Sequence, residues 1–182
     1  DTRYYVDPSI ATAALGIGPA DLVNDLNTMG LLFETMAVRD LRTYAESIDG
    51  DVFHYRDSNG LECDSVIHLR NGRYGLVEIK LGGQALIEEG AKTLNKFESL
   101  IDTKKMNGPS FKMILTAVGS LAYKREDGIY VVPIDCLIYS HPNATPLEKY
   151  PDRRVGIHII FAAAFASIIA LACWRCSMTA AI

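Results

Sequence analysis

The stretch LECDSVIHLRNGRYGLVEIKL, residues 61–81, decides the fold of this chain. Residues 61–69 and 74–81 have the composition and pattern of two strands. The Asn71-Gly72 pair between them is one of the strongest short-range signals for a hairpin turn. The stretch therefore predicts two antiparallel strands joined by a tight loop.

The second of these strands contains Glu78-Ile79-Lys80. Alternate residues of a strand share a face, so Glu78 and Lys80 point the same way. A carboxylate and an ammonium group side by side, with the Asp64 carboxylate one strand away, suit divalent-metal-assisted attack on a phosphodiester. Many strands carry a Glu-x-Lys sequence as a solvated ion pair, and that interpretation stays open at this point.

The register of the hairpin decides whether such a site exists, because a shift of one residue moves every side chain to the other face. A two-residue loop, 71–72, would turn Asp64 away from Glu78 and Lys80. A three-residue loop, 71–73, with Gly72 near the left-handed conformation, places Asp64 opposite Lys80, and we predict this register. It leaves a largely apolar opposite face: Cys63, Ser65, Ile67, Leu69, Val77, Ile79 and Leu81.

Residues 30–46, GLLFETMAVRDLRTYAE, have helical periodicity. Phe33, Ala37, Leu41 and Tyr44 fall within one apolar stripe, and Glu34 falls inside the same stripe. An ionised carboxylate on an apolar face is costly unless it is paired or bound to a metal. Glu34 is therefore a buried partner of a lysine or arginine, a residue at the rim of the stripe, or part of a site.

Glutamate on a helix, aspartate on a strand and Glu-x-Lys on the next strand is the order of the PD-(D/E)xK nuclease superfamily. The chain also resembles one uncharacterised module of that kind, the domain of unknown function 4143, over roughly residues 2–137. That module is found at the C-terminal end of bacterial and archaeal AAA+-type ATPases. The blocks that carry the resemblance are YYVDP (4–8), GLLFE (30–34), YRD (55–57), ECD (62–64), VEIK (77–80), IEEGA (87–91) and GIYVVP (128–133).

The resemblance implies a divalent-metal-dependent nuclease site with Mg²⁺ or Mn²⁺ as cofactor. Asp64, Glu78 and the Ile79 carbonyl would hold the metal, Lys80 would handle the attacking water, and Glu34 would orient or complete the shell. A polar residue soon after the Glu-x-Lys strand sometimes joins such sites, which makes Gln84 a candidate accessory residue.

The fold class that follows is α/β, with a restriction-endonuclease-like core: a mixed central sheet flanked by helices, N-terminal helices and an apolar C-terminal helix. The strand at 112–118 is reached by crossover from a helix, which predicts that it runs parallel to the Glu78 strand. The predicted helices cover 7–15, 19–29, 30–46 and 84–101, and the predicted strands cover 51–55, 61–69, 74–81, 112–118 and 129–132.

Nucleic acid and an ATPase domain are the expected partners. The bases include Lys92 and Lys96, one helical turn apart, as candidate phosphate contacts. The net charge of −4 is lower than a dedicated nucleic-acid binder usually has. The resemblance implies a preceding ATP-binding domain that is absent from these residues. No Gly-x-x-x-x-Gly-Lys-Ser/Thr motif occurs in the sequence, so no ATP site is expected in this chain.

The sequence divides into a nuclease-like domain (1–140), a linker (141–154) and an apolar helix (155–175). Residues 155–174, VGIHIIFAAAFASIIALACW, contain no Asp, Glu, Lys or Arg and are long enough to cross a bilayer. Three interpretations stay open: a membrane anchor, a helix packed against the domain or a second copy, and translation out of the original frame. The scattered cysteines and the absence of a signal peptide favour a cytoplasmic location, with the domain on the cytoplasmic side of any anchor.

Two functions of different classes remain. The first is a metal-dependent nuclease. The alternative is a non-catalytic module that keeps the nuclease architecture for nucleic-acid or protein binding, with the carboxylates forming a structural ion network around Lys80.

Overall fold

The computed structural model describes residues 3–137. Four α-helices and six strands lie within these residues. In chain order they are α1 (Pro8–Leu15), α2 (Pro19–Asn24), α3 (Leu26–Glu46), β1 (Gly50–Arg56), β2 (Glu62–Leu69), β3 (Tyr74–Lys80), α4 (Gln84–Ser99), β4 (Phe111–Thr116), β5 (Tyr123–Lys124) and β6 (Tyr130–Pro133).

The strands form one mixed sheet in the order β1-β2-β3-β4-β6-β5. The first three strands are antiparallel neighbours. Strand β4 runs parallel to β3 and to β6, as the helical crossover predicts. The α/β class and the mixed sheet with flanking helices are therefore confirmed. The short β5, an antiparallel edge strand beside β6, was not predicted.

The predicted register of the β2–β3 hairpin is wrong, because the loop was expected at 71–73 and lies one residue earlier. His68 pairs with Tyr74 and Ser65 with Val77. Leu69 donates its N–H to Arg73 O at 2.8 Å, so the loop is Arg70 to Gly72. Gly72 has φ +82°, the positive φ expected there. The observed register differs from the predicted one by two residues, an even number, so side chains from Ser65 to His68 keep their predicted faces. The regular ladder stops at Ser65, because β2 has a bulge between Cys63 and Val66, where it pairs with β1. Cys63, predicted on the face opposite Asp64, packs instead in the core with Tyr74 and Leu76.

The N-terminal helices differ from the prediction at one junction. A single helix over 19–29 was expected, but α2 ends at Asn24 and α3 begins at Leu26. Asp25 causes the break between the two helices. Its carboxylate accepts a hydrogen bond from the Thr28 backbone N–H at 3.1 Å and another from the Thr28 hydroxyl at 2.6 Å. This is an N-cap, so the chain restarts as a new helix there.

Helices α3 and α4 cover the sheet. The apolar stripe of α3 is buried as predicted at Phe33, Ala37 and Leu41, whereas Tyr44 is only half-buried. Helix α4 covers the face from which Glu78 projects, since a Cβ on Gly90 would lie 3.5 Å from the Glu78 Cβ. The core under α4 consists of Cys63, Tyr74, Leu76, Ile87, Ala91, Leu94, Ile114, Ile129 and Val131.

Residues 3–134 belong to one compact unit. The end of the predicted domain (138–140), the linker (141–154) and the apolar helix (155–175) lie outside the described residues. The proposed membrane segment 155–174 is among them. Within residues 3–137, no helix combines the length and the apolar character that crossing a bilayer requires.

Gly75 gives a first testable prediction about packing. It sits in β3 beside Phe111 of β4, and a Cβ at this position would overlap the Phe111 ring. Gly75→Ala should therefore lower the free energy of unfolding by about 1–3 kcal/mol, measured by denaturant titration. The same substitution in a Phe111→Leu background should be less damaging, because the overlap is relieved. Equal losses in both backgrounds would contradict the steric explanation.

Candidate functional site

Asp64, Glu78 and Lys80 come together on strands β2 and β3. The Lys80 Nζ lies 3.0 Å from Glu78 Oε2 and 3.9 Å from Asp64 Oδ2. The predicted pair on β3 and its partner on β2 thus form a triad of two carboxylates around one ammonium group. All three side chains are largely buried, which strengthens their mutual electrostatic interactions.

Asp64 is held in place by the backbone of β3. Its Oδ2 accepts the N–H of Ile79 at 2.7 Å, just beyond the last Ser65–Val77 pair of the hairpin ladder. The N–H and C=O of one strand residue point toward the same neighbouring strand. The Ile79 carbonyl therefore faces the β2 side of the strand, as its N–H does.

Glu78 is the most unusual group of the site. Glu78 is 3% exposed, and its Oε1 has no hydrogen-bond partner among the described residues. Burial is the main cause that raises the pKa of Glu78 from 4.5 to about 7, and the Asp64 carboxylate raises it further. Lys80 opposes both effects. A buried carboxylate with a raised pKa and an oxygen that has no protein partner is a candidate for a functional group.

The pKa values of Asp64 and Lys80, the other two members of the triad, are also raised. Burial raises the pKa of Asp64 above its usual value, although Lys80 and the Ile79 N–H both act against this. Burial by itself would lower the pKa of Lys80, but the Glu78 and Asp64 carboxylates outweigh it and raise that pKa. Lys80 is therefore a protonated cation at neutral pH.

Glu34 lies on α3 and faces the same region from the helix side. Its Oε1 accepts the hydroxyl of Tyr4 at 2.7 Å. Burial raises the pKa of Glu34, the Tyr4 hydrogen bond lowers it, and the charges of Asp64 and Lys80 act in opposite directions on it. Glu34 thus belongs electrostatically to the triad, although its hydrogen bond goes to Tyr4.

The three predicted residues of α4 do not join this group. Lys92 and Lys96 are exposed on the helix surface. The Gln84 side chain is exposed and donates to Glu88 Oε1 at 2.7 Å. Glu88 pairs in turn with Arg125 at 2.8 Å. Gln84 therefore takes part in a surface network that ties α4 to the segment before β6.

Two residues near the site were missed by sequence reasoning. Tyr4 lies in an N-terminal block that carried no chemical signal of its own. Thr116 ends β4 and pairs with Lys80 in the parallel ladder, so both side chains are on one face. It is 1% exposed, and its Oγ1 has no hydrogen-bond partner among the described residues. A threonine at the end of an apolar run gave no reason to select it.

The set of oxygen donors at this site is small for a metal centre. Among residues 3–137, no three His, Cys, Asp or Glu side chains are grouped closely enough to hold a metal ion. Asp64 and Glu78 would offer two carboxylates to an ion between them, and the Ile79 carbonyl would offer a third oxygen. Mg²⁺ usually takes one or two carboxylates and keeps several waters, so this set fits it. The unpartnered Glu78 Oε1 is the atom that such an ion would satisfy.

Comparison with known proteins gives one match. A family model described as "Domain of unknown function (DUF4143)" matches residues 29–137, which include most of α3, all of α4 and strands β1 to β6. Neither the search of curated proteins nor the search of solved structures gives a match.

Proposed function

The chain belongs to the DUF4143 family, whose description states no activity, and from the geometry of the site we propose a function for it. We propose that it is a divalent-metal-dependent nuclease-like domain that acts on nucleic-acid phosphodiesters. The observation that carries this proposal is the buried Glu78 carboxylate, whose Oε1 lacks a partner while Asp64 and Lys80 flank it. A buried carboxylate oxygen without a protein partner is a position at which a cation would be stabilised.

The proposed architecture is that of the PD-(D/E)xK nucleases. Two features support it: the order of Glu34 on α3, Asp64 on β2 and Glu78 with Lys80 on β3, and the parallel β3–α4–β4 crossover that follows. The proposed resident ion is Mg²⁺ or Mn²⁺, held by Asp64, Glu78 and the Ile79 carbonyl. When bound, it supplies Lewis-acid polarisation of the phosphate and a more acidic water.

Lys80 has the clearest catalytic role in this proposal. Because the two carboxylates raise its pKa, Lys80 is protonated at neutral pH and cannot act as the base. Its ammonium group donates hydrogen bonds instead, to the attacking water or to a non-bridging phosphate oxygen. There it offsets the negative charge that develops in the transition state. Glu34 adds a third carboxylate to those of Asp64 and Glu78, and orients water.

The same proposal gives roles to the residues around the site and to the expected partners. Lys92 and Lys96 are exposed one turn apart on α4, where they can contact successive phosphates of a nucleic acid. Gln84 remains an accessory candidate that would first have to leave Glu88. The proposed protein partner is an AAA+-type ATPase domain, and the proposed location is the cytoplasm.

One observation favours a second function. Lys80 lies within 4 Å of both carboxylates, which neutralises part of their charge without any metal. On this basis the domain would be a non-catalytic module of the nuclease architecture that binds nucleic acid or protein. The two functions differ in whether Asp64 and Glu78 bind a cation.

Calorimetric titration of the full chain with Mn²⁺ and Mg²⁺ separates these functions. We expect saturable binding by the wild type that is lost when Asp64→Ala is combined with Glu78→Ala. A control with the same charge change, Glu46→Ala with Glu126→Ala, alters exposed residues and should bind like the wild type. Cleavage of single- and double-stranded DNA and RNA in the presence of each metal should follow the same pattern.

One outcome of these experiments would contradict the nuclease proposal. A folded wild-type chain that binds neither metal and cleaves none of these substrates would exclude the nuclease and leave the binding module.

A further inference from the structure

A short N-terminal arm, residues 3–7, reaches the site from ahead of α1. The Tyr4 hydroxyl donates to Glu34 Oε1 at 2.7 Å across 30 residues of sequence. The Arg42 guanidinium lies 5.9 Å from the centroid of the Tyr4 ring, within the range of a cation–π contact. At the other end of the arm, Asp7 forms an ion pair with Arg39. Three contacts therefore fasten this arm to one helix, α3.

The contact between Tyr4 and Glu34 joins two groups of the site. Both are half-buried, and the charge of Asp64 acts on each of them. Burial and the neighbouring Glu34 carboxylate raise the pKa of Tyr4, so its hydroxyl remains protonated and remains a donor. The bond thus occupies one lone pair of Glu34 Oε1 and restrains the orientation of its carboxylate.

From this geometry we propose that Tyr4 is a positioning residue of the site, which orients the Glu34 carboxylate toward the Asp64–Glu78–Lys80 triad. This inference rests on the proposed nuclease function. It adds a residue from outside the family match at 29–137, because Tyr4 precedes the matched residues. The site is therefore complete only when the arm is docked on α3.

A merely structural arm would not need this hydroxyl. Neither the Asp7–Arg39 pair nor the Arg42 contact with the ring face involves the Tyr4 hydroxyl, so we expect both to persist when only the hydroxyl is removed. Tyr4→Phe therefore isolates the hydrogen bond to Glu34. Tyr5→Phe is a matched control, because the adjacent Tyr5 is 54% exposed.

The first measurement is carbon NMR of the full chain without metal, with ¹³C-labelled tyrosine. The chemical shift of a tyrosine Cζ responds to hydrogen bonding by the hydroxyl and does not depend on how fast the hydroxyl proton exchanges with water. We expect the Tyr4 Cζ signal, assigned by its loss in Tyr4→Phe, to lie downfield of the Tyr5 signal and to move in Glu34→Gln. A Tyr4 signal at the position of the Tyr5 signal that does not move in Glu34→Gln would overturn the contact and the proposal with it.

The second measurement is cleavage kinetics with saturating Mn²⁺. Loss of an orienting partner of this kind should reduce kcat roughly tenfold with little change in KM, whereas Tyr5→Phe should leave both unchanged. A Tyr4→Phe enzyme with the wild-type kcat, in a wild type that cleaves, would overturn the positioning role alone. A wild type that neither cleaves nor binds metal would overturn the nuclease proposal itself, and the NMR signal would then report only a structural contact.

Discussion

Lys80→Met should reduce the rate of phosphodiester cleavage by about 10²–10³-fold, the loss typical of removing one donor that stabilises transition-state charge. Methionine keeps most of the length of the side chain but removes the ammonium group that lies 3.0 Å from Glu78 and 3.9 Å from Asp64. Single-turnover cleavage at saturating Mn²⁺ measures the chemical step. Lys92→Met, on the exposed surface of α4, is the control and should change substrate affinity rather than this rate.

The same variant separates the two proposed functions. At a nuclease site, the Lys80 ammonium competes with the metal for both carboxylates, so Lys80→Met should bind Mn²⁺ at least as tightly as the wild type. Without metal, loss of this buried partner should destabilise the fold by about 3–5 kcal/mol under either function. At a nuclease site Mn²⁺ should restore the lost stability, whereas in a structural ion network Mn²⁺ should neither bind nor restore it. Wild-type cleavage by Lys80→Met would show that Lys80 is only a counterion.

The hairpin shows how far sequence reasoning reaches. The period of two along a strand fixed the faces of Asp64 and Glu78, because a slip by one residue would have exposed the apolar positions. It could not choose between the loop 71–73 and the observed loop 70–72, since these registers differ by a whole pair and bury the same side chains. The difference rests on backbone hydrogen bonds at Leu69 and Gly72, which leave no mark in the hydrophobic pattern.

The parts that were not predicted depend on contacts distant in sequence. The Tyr4–Glu34 hydrogen bond joins residues 30 positions apart through the path of the N-terminal arm. The place of Thr116 beside Lys80 depends on the parallel register of β3 and β4. Strand β5 has two residues, too few for a periodic signal, and forms because β6 offers it an open edge. Local pattern carries no information on any of these.

Glu78→Gln should become progressively more stable than the wild type as the pH rises. The folded-state pKa of Glu78 is about 7, above its ordinary value of 4.5, mainly because the carboxylate is buried. The folded protein therefore binds this proton more tightly than the unfolded chain does. The stability that this contributes is fully present below pH 4.5 and is lost as the pH rises through 7. Over that window the wild type should lose about 3 kcal/mol relative to the non-titrating glutamine variant.

Urea denaturation of both proteins at a series of pH values between 4.5 and 8, in the presence of EDTA, measures this difference. Glu46→Gln replaces an exposed carboxylate and should not reproduce the trend. Adding Mn²⁺ at pH 8 should stabilise the wild type but not Glu78→Gln, because a bound cation satisfies the buried carboxylate. A stability difference that is independent of pH would mean that Lys80 alone keeps Glu78 ionised, and the open oxygen on which the metal site depends would lose its significance.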